Sequence, residues 1–260
     1  GYLQLNLVSD QAGAALMRDA NLIDPWGLAL SPIGGNFWIA DHGAAVVTNY
    51  GGDVSGTAFS RNSLVFAVPG SGPTGQTFNG GAGFAISSGT ASGPATLLLA
   101  GDGGKISGWN QAVPLPVPST NGQTAVDDSE AVFTGLTLAI NNGQTLLYAA
   151  DFRHGTIDVF DANFAPVNLP GAFMAPGLPA GLAPYNVVNL GGENPQSVRS
   201  VSCTPGVLRA FGIAPALGRW FEPADEEKGA PRVAVISHAL WQQSFAGDPA
   251  LVGRTIRING

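Results

Sequence analysis

The chain has 260 residues, 45% of them hydrophobic and 11% charged, with 37 glycines and 19 prolines. That length holds one large domain or two ordinary ones, and the composition points to many short strands joined by tight turns rather than to long solvated helices. A net charge of −7 and a pI near 4.7 argue against a nucleic-acid partner, because binding phosphates needs clustered Lys and Arg.

At the start of the chain, Gly1 to Asp10 lack the charged and apolar regions of a signal peptide, although an exported protein in processed form would look the same. No run approaches the roughly 20 apolar residues that a membrane-spanning helix requires, so no transmembrane segment is expected. The single Cys203 cannot form an intrachain disulfide and reads as a small packed hydrophobe rather than a nucleophile.

The first part of the chain repeats. A short apolar strand with a central glycine is predicted at Trp26 to Leu30, again at Thr74 to Phe78, and again at Thr134 to Leu138. Each is followed by a second strand and a turn. The three are Phe37 to Ala40 into Asp41-His42-Gly43, Leu97 to Ala100 into Gly101-Asp102-Gly103-Gly104, and Leu146 to Ala150 into Asp151-Phe152-Arg153-His154-Gly155. A third strand then ends on an aromatic residue, at Tyr50, Trp109 and Phe160.

The glycines Gly27, Gly75 and Gly135 stand 48 and 60 residues apart, close to the roughly 40 to 50 residues of a propeller blade. Alternation in Thr156 to Phe160 fits a strand with one buried face, and the Asp and Gly clusters fit hairpin turns with positive φ. A fourth unit begins at Ala183 to Val188 with no second strand after it.

A seam lies near residue 190. Residues 1–190 carry 4 Lys/Arg and 12 Asp/Glu, whereas residues 191–260 carry 7 and 6, so charged residues rise from 16 of 190 to 13 of 70. This divides the chain into a first domain over 1–190 and a second over 191–260. In the second, Pro205 to Phe211 and Ser237 to Phe245 read as short helices, and Arg232 to Ile236 and Thr255 to Ile258 as strands. The fold class expected is mainly β, an incomplete β-propeller of about three blades and the start of a fourth, followed by a small α/β segment.

Over residues 3–190 the sequence resembles a family of secreted bacterial β-propeller proteins of uncharacterised function, with an NHL-like architecture. The resemblance rests on Leu7 to Asp10, Asn21 to Ala29, Phe37 to Asp41, Gly104 to Asn110, Leu147 to Phe152, Ile157 to Asp161, Leu169 to Phe173 and Ala183 to Val187. Residues 193–260 resemble the MacB-like periplasmic core domain of ABC transporter permeases. They do so through Asn194 to Arg199, Pro205 to Arg219 with Phe221, Arg232 to Ser237, Leu240 to Phe245 and Gly247 to Ile256. The second resemblance implies a domain that stands outside the membrane and relays conformational change or contacts partner proteins. Both resemblances imply an extracytoplasmic location, periplasmic or secreted. The chain has neither the remaining blades of a closed ring nor a permease's transmembrane helices, and a partial ring must pair its open edges or oligomerise to be stable.

The recurring turn carboxylates Asp41, Asp102 and Asp151 are the candidate metal ligands, and oxygen donors from successive blades could hold Ca²⁺. The competing reading, which we favour, is that each caps a turn through its own backbone, because calcium wants about six to eight oxygens and only three are in view. His42 and His154 sit beside two of the aspartates but form no metal-binding pair of the HExxH kind, and His238 falls early in a predicted helix. Trp26, Trp38, Trp109 and Phe160 fit an inter-blade core better than a ligand-binding face. Glu222 and Asp225 to Lys228 read as a solvated loop.

No nucleophile elbow and no P-loop is present, and Gly101 to Gly108 continues into a strand, so it reads as a hairpin rather than a nucleotide loop. Together the two resemblances imply a non-catalytic extracytoplasmic binding or scaffold protein, a propeller fragment fused to a fragment of a permease's periplasmic domain with no transport activity of its own, with an unidentified protein or small-molecule ligand and no cofactor. One alternative is a metal-dependent hydrolase of the lactonase type, with Asp41, Asp102 and Asp151 as ligands and His154 as base. The other is a chimeric reading frame without an evolved function.

Overall fold

A computed structural model describes residues 5–52, 57–170, 173, 182–189, 215–227, 230, 233–245 and 247–255. The described chain is mainly β. Two short strands, β1 (Val8–Ser9) and β2 (Met17–Arg18), pair in parallel. The first large sheet follows, with β3 (Pro25–Leu30), β4 (Phe37–Asp41), β5 (Val46–Gly51) and β6 (Ser60–Arg61) in sequential order and β7 (Phe66–Ala67) also paired to β5. In the second sheet β8 (Pro73–Phe78) is followed by a small hairpin, β9 (Ala85–Ser88) with β10 (Ala91–Pro94). The sheet then continues through β11 (Leu97–Gly101), β12 (Lys105–Trp109) and β13 (Gln123–Asp127). The third sheet is β14 (Phe133–Asn141), β15 (Gln144–Asp151) and β16 (Thr156–Phe160).

The same register recurs in all three sheets. Between the first and second strands the pairing slips by one residue just before the repeated glycine: at Pro25/Gly27 against Asp41/Ala40, at Pro73/Gly75 against Gly101/Ala100, and at Phe133/Gly135 against Asp151/Ala150. Such a bulge bends the first strand and strengthens its twist. The aromatic ends of the third strands also occupy one position, with Tyr50 opposite Phe37, Trp109 opposite Leu97 and Phe160 opposite Leu147.

The sheets stack face against face. Val47, Phe66 and Val68 of the first part bury against Leu97, Leu99 and Trp109 of the second sheet, with Trp38 and Phe78 at the margin. On the other side of the second sheet, Leu98, Ala100 and Ile106 bury against Leu136, Leu147, Ala149 and Phe160. Strand β11 is covered on both sides, which explains why its sequence is an unbroken Leu-Leu-Leu-Ala rather than an alternating one. Full burial of each of those leucines contributes roughly 1.5–3 kcal/mol. The far side of the third sheet, Ala139, Leu146, Tyr148 and Val159, is covered by Val187 with Val167, Leu169 and Phe173. Strand β16 was expected to bury one face only, but Val159 and Phe160 point into different clusters and both are buried, because the strand lies between two layers.

The repeated glycines mark where first strands approach one another. A Cβ on Gly75 would stand 2.7 Å from the Cα of Gly135 and 3.1 Å from the nitrogen of Leu136, and one on Gly27 would stand 3.3 Å from the Cγ of Gln76. A Cβ on Gly135 would meet Asn186, at 2.8 Å from its Cγ and 3.2 Å from its Cα. The extended segment 182–189 therefore lies against β14 as β14 lies against β8, and Asn189 donates to the carbonyl of Leu138 at 3.1 Å. This is where the sequence places the start of a fourth unit.

Farther on, helix α1 (His238–Phe245) forms as predicted, with the Ser237 hydroxyl accepting from the Leu240 N–H at 3.2 Å as its cap. The predicted strand at Arg232 to Ile236 does not form over its described residues, 233–236. The predicted helix Pro205 to Phe211, Cys203 and all of the predicted strand Thr255 to Ile258 except Thr255 lie outside the described residues.

Candidate functional site

Aligned on their registers, Asp41 and Asp151 are equivalent: each ends the second strand of its sheet, paired with Val46 and Thr156. In the second sheet that place belongs to Gly101, paired with Lys105. Asp102 is therefore one residue further on and equivalent to His42 and Phe152. The chain does not gather the three carboxylates, and among the described residues no group of three or more His, Cys, Asp or Glu side chains is arranged to hold a metal ion.

Each aspartate has its own surroundings. Asp41 is wholly buried; one carboxylate oxygen accepts from the Thr48 hydroxyl at 2.7 Å and the other has no partner. Burial pushes its pKa up to about 7, helped by the charge of nearby Asp19. Asp19 is itself buried, but hydrogen bonds from the Asn21 N–H, the Tyr50 hydroxyl and Arg61 outweigh the burial and hold it below the usual carboxylate value.

Asp151 is a turn cap. Its Oδ1 accepts from the N–H groups of Val132 (3.1 Å), Arg153 (3.0 Å) and His154 (3.3 Å), while its Oδ2 faces His154 Nδ1 at 2.5 Å. Burial raises the carboxyl, but His154 and these N–H groups outweigh it and keep Asp151 low. Asp151 in turn raises the half-exposed His154 above its ordinary value.

Asp102 belongs to a cluster that spans two sheets. His42 places Nε2 2.9 Å from Asp102 Oδ2 and Nδ1 3.2 Å from Asp24 Oδ2, so one imidazole joins the end of the first sheet to the end of the second. A neutral imidazole donates to only one of these carboxylates, and the imidazolium donates to both. Burial raises Asp102, but the Ser71 hydroxyl and His42 outweigh it and hold it low.

The ring of Trp26 lies on His42, centroids 5.0 Å apart and planes 16° from parallel. Tyr185, from the 182–189 segment, sits 5.9 Å from Trp26 and 6.1 Å from Phe152 at the end of the third sheet. Trp26, Phe152 and Tyr185 are all exposed. The ends of the first and third sheets and the 182–189 segment thus share one face of aromatic rings, with His42 and the carboxylates of Asp24 and Asp102 at its margin. Such a face can stack on a flat or apolar group and accept hydrogen bonds beside it.

Trp38, Trp109 and Phe160 lie between sheets, in the core role expected of them, but Trp26 lies on the open face. The loop 222–227 is tied rather than loose: Arg219 forks onto Asp225 with two 2.7 Å bonds, and this pulls the carboxyl down to about 2. Asp19, Asp24 and Tyr185 carried no chemical signal in the sequence. The offset of Asp102 did, because aligning Ala40, Ala100 and Ala150 sets Asp102 opposite His42.

The profile of the MacB-like periplasmic core domain matches residues 122–260, just over half of the chain. The chain belongs to that family. Membership relates it to the ABC transporters and locates it outside the cytoplasm. The match begins just before β13 and takes in the third sheet, whereas the sequence reading placed this resemblance at 193–260.

Two uncharacterized proteins of Acanthamoeba polyphaga mimivirus are each 32% identical over 193 residues, which is 71% of this chain and 46% and 49% of their own lengths. The shared stretch is longer than the 139 residues of the family match, so it extends into the part before residue 122. The chain spans about half the length of these relatives. Among the described residues no helix is long and apolar enough to cross a membrane.

Proposed function

We propose that the three sheets are successive blades of an open β-propeller and that the chain is a non-catalytic binding or scaffold module of the MacB-like, extracytoplasmic class. The segment after residue 190 transports nothing by itself. The observation that carries this reading is the threefold recurrence of bulge, glycine and close strand approach at Gly27, Gly75 and Gly135. It supports radially stacked repeats, which present their strand ends as one recognition face. The ligand meets the exposed aromatic row of Trp26, Tyr185 and Phe152, and the ligand is a protein or small molecule of the same compartment.

The test is an assay of the purified chain against a panel of lactones with Ca²⁺ or Zn²⁺ added. We expect no turnover. A homogeneous hydrolytic activity that disappears in Asp151→Ala or His154→Ala would overturn the non-catalytic reading. Limited proteolysis followed by mass spectrometry tests the division of the chain: cleavage confined to about residues 190–196 is expected, and resistance across that stretch would require one composite domain.

A further inference from the structure

We propose that the layer between the first and second sheets is a binding site for a structural water, held by Asn49, Gln76 and Ser107. The three side chains reach that layer from three strands. Gln76, Leu99 and Ser107 stand side by side across β8, β11 and β12, and Leu99 packs toward Val47 and Phe66 of the first part. Ser107 shares a face of β12 with Trp109, which belongs to the same cluster, because side chains two residues apart on a strand point the same way. Asn49 shares a face of β5 with Val47 and pairs with Trp38, whose carbonyl accepts from Gln76.

Each of the three has hydrogen-bonding capacity that no described residue meets. Gln76 commits its Nε2 to the carbonyls of Gly27 at 3.1 Å and Trp38 at 2.5 Å, and Asn49 commits its Nδ2 to the carbonyl of Leu64 at 3.1 Å. Those acceptors fix which way both amides face, since turning either one over would set its oxygen against a carbonyl oxygen. Gln76 Oε1 and Asn49 Oδ1 are then left buried without a donor, and the Ser107 hydroxyl is buried without a partner. Asn49 and Ser107 are each 1% exposed, so bulk solvent does not serve them.

Water fits this set by its hydrogen-bonding capacity. It donates one bond to each amide oxygen and accepts one from the Ser107 hydroxyl, which makes the roughly three bonds usual for a buried water. Leaving two buried acceptors without donors costs more than immobilising one water. No carboxylate belongs to the set, so nothing in it offsets the charge of a metal ion. The junction between the second and third sheets is built differently. By register Leu136 stands there at the place of Gln76 and Gly108 at the place of Asn49, so the two amide oxygens have no counterparts. The water therefore belongs to the first junction.

The test is a high-resolution crystal structure of the full chain, joined with magnetic relaxation dispersion of the solvent, which counts waters held longer than the protein takes to tumble. We expect one ordered water within hydrogen-bond distance of at least two of Asn49 Oδ1, Gln76 Oε1 and Ser107 Oγ. The double variant Asn49→Leu/Ser107→Val, which puts methyl groups in its place, should lose that water, and the dispersion should fall by one long-lived water.

Native density in which the Ser107 hydroxyl donates directly to an amide oxygen, or in which no water touches more than one of the three atoms, overturns the proposal. So does a folded double variant whose dispersion equals that of the native chain. If the double variant does not fold, the native crystal structure decides by itself.

Discussion

Gly75 faces Gly135 across the interface between the second and third sheets, so closely that a Cβ on the first would stand 2.7 Å from the Cα of the second. Backbone lies on the far side of that contact, and backbone cannot move aside as the end of a flexible side chain can. Gly75→Ala should therefore destabilise the chain by about 1–3 kcal/mol. Gly80→Ala, where a Cβ meets nothing within 4 Å, should stay within about 0.5 kcal/mol. Urea unfolding of both variants checks the pair, and equal stability would remove the close approach as a constraint.

Gln76 ties the second sheet to the first. Its Nε2 donates to the carbonyls of Gly27 at 3.1 Å and Trp38 at 2.5 Å. Gln76→Glu replaces the donor by a group that, once ionised, repels both carbonyl oxygens. Burial there raises the folded-state pKa of the new carboxyl, so the variant loses stability as pH rises above the unfolded value of about 4.3. Melting temperatures at pH 4 and pH 7 should differ more for the variant than for the native chain.

Asp41 makes the native protein less stable as pH rises. Its folded pKa of about 7 lies above its ordinary 3.8, so between those values the folded state binds more protons than the unfolded one. The slope over that window is at most about 1.4 kcal/mol per pH unit. Asp41→Asn should remove this decline, so that the variant gains on the native chain from pH 4 to pH 7. Denaturant titrations across the window measure it; parallel curves would contradict the raised pKa.

His154 and Asp151 shift in opposite directions and act at opposite ends of the pH scale. The raised pKa of His154 contributes stability that is present below 6.5 and lost as pH rises through the folded value. The lowered pKa of Asp151 contributes stability that is present above 3.8 and lost as pH falls through its folded value. Proton NMR of the His154 ring should titrate above 6.5 in the native chain and move back toward 6.5 in Asp151→Asn. An unchanged midpoint would show that the pair is not coupled in solution.

The aromatic face has its own prediction. Tryptophan fluorescence should respond to His42→Ala, because the indole of Trp26 lies 5.0 Å from that imidazole, and should respond much less to His154→Ala. Equal responses would mean that the Trp26 and His42 rings are not stacked in solution.

The sequence by itself determined the repeating unit of this protein. Gly27, Gly75 and Gly135, the aromatic ends Tyr50, Trp109 and Phe160, the turns after each second strand and the Ser237 cap of α1 are local signals, set by backbone freedom and hydrogen bonding within a few residues. What only the tertiary structure decided is which residues meet across sheets. Asp24, His42 and Asp102 come together from two sheets, Asp19 reaches Tyr50, and Tyr185 joins Trp26 to Phe152 over separations that no local pattern encodes. The same distinction explains the carboxylates. Asp41, Asp102 and Asp151 look alike as turn residues, but a one-residue offset in register buries two of them and leaves the third at a shared edge, because each step along a strand turns the side chain to the opposite face.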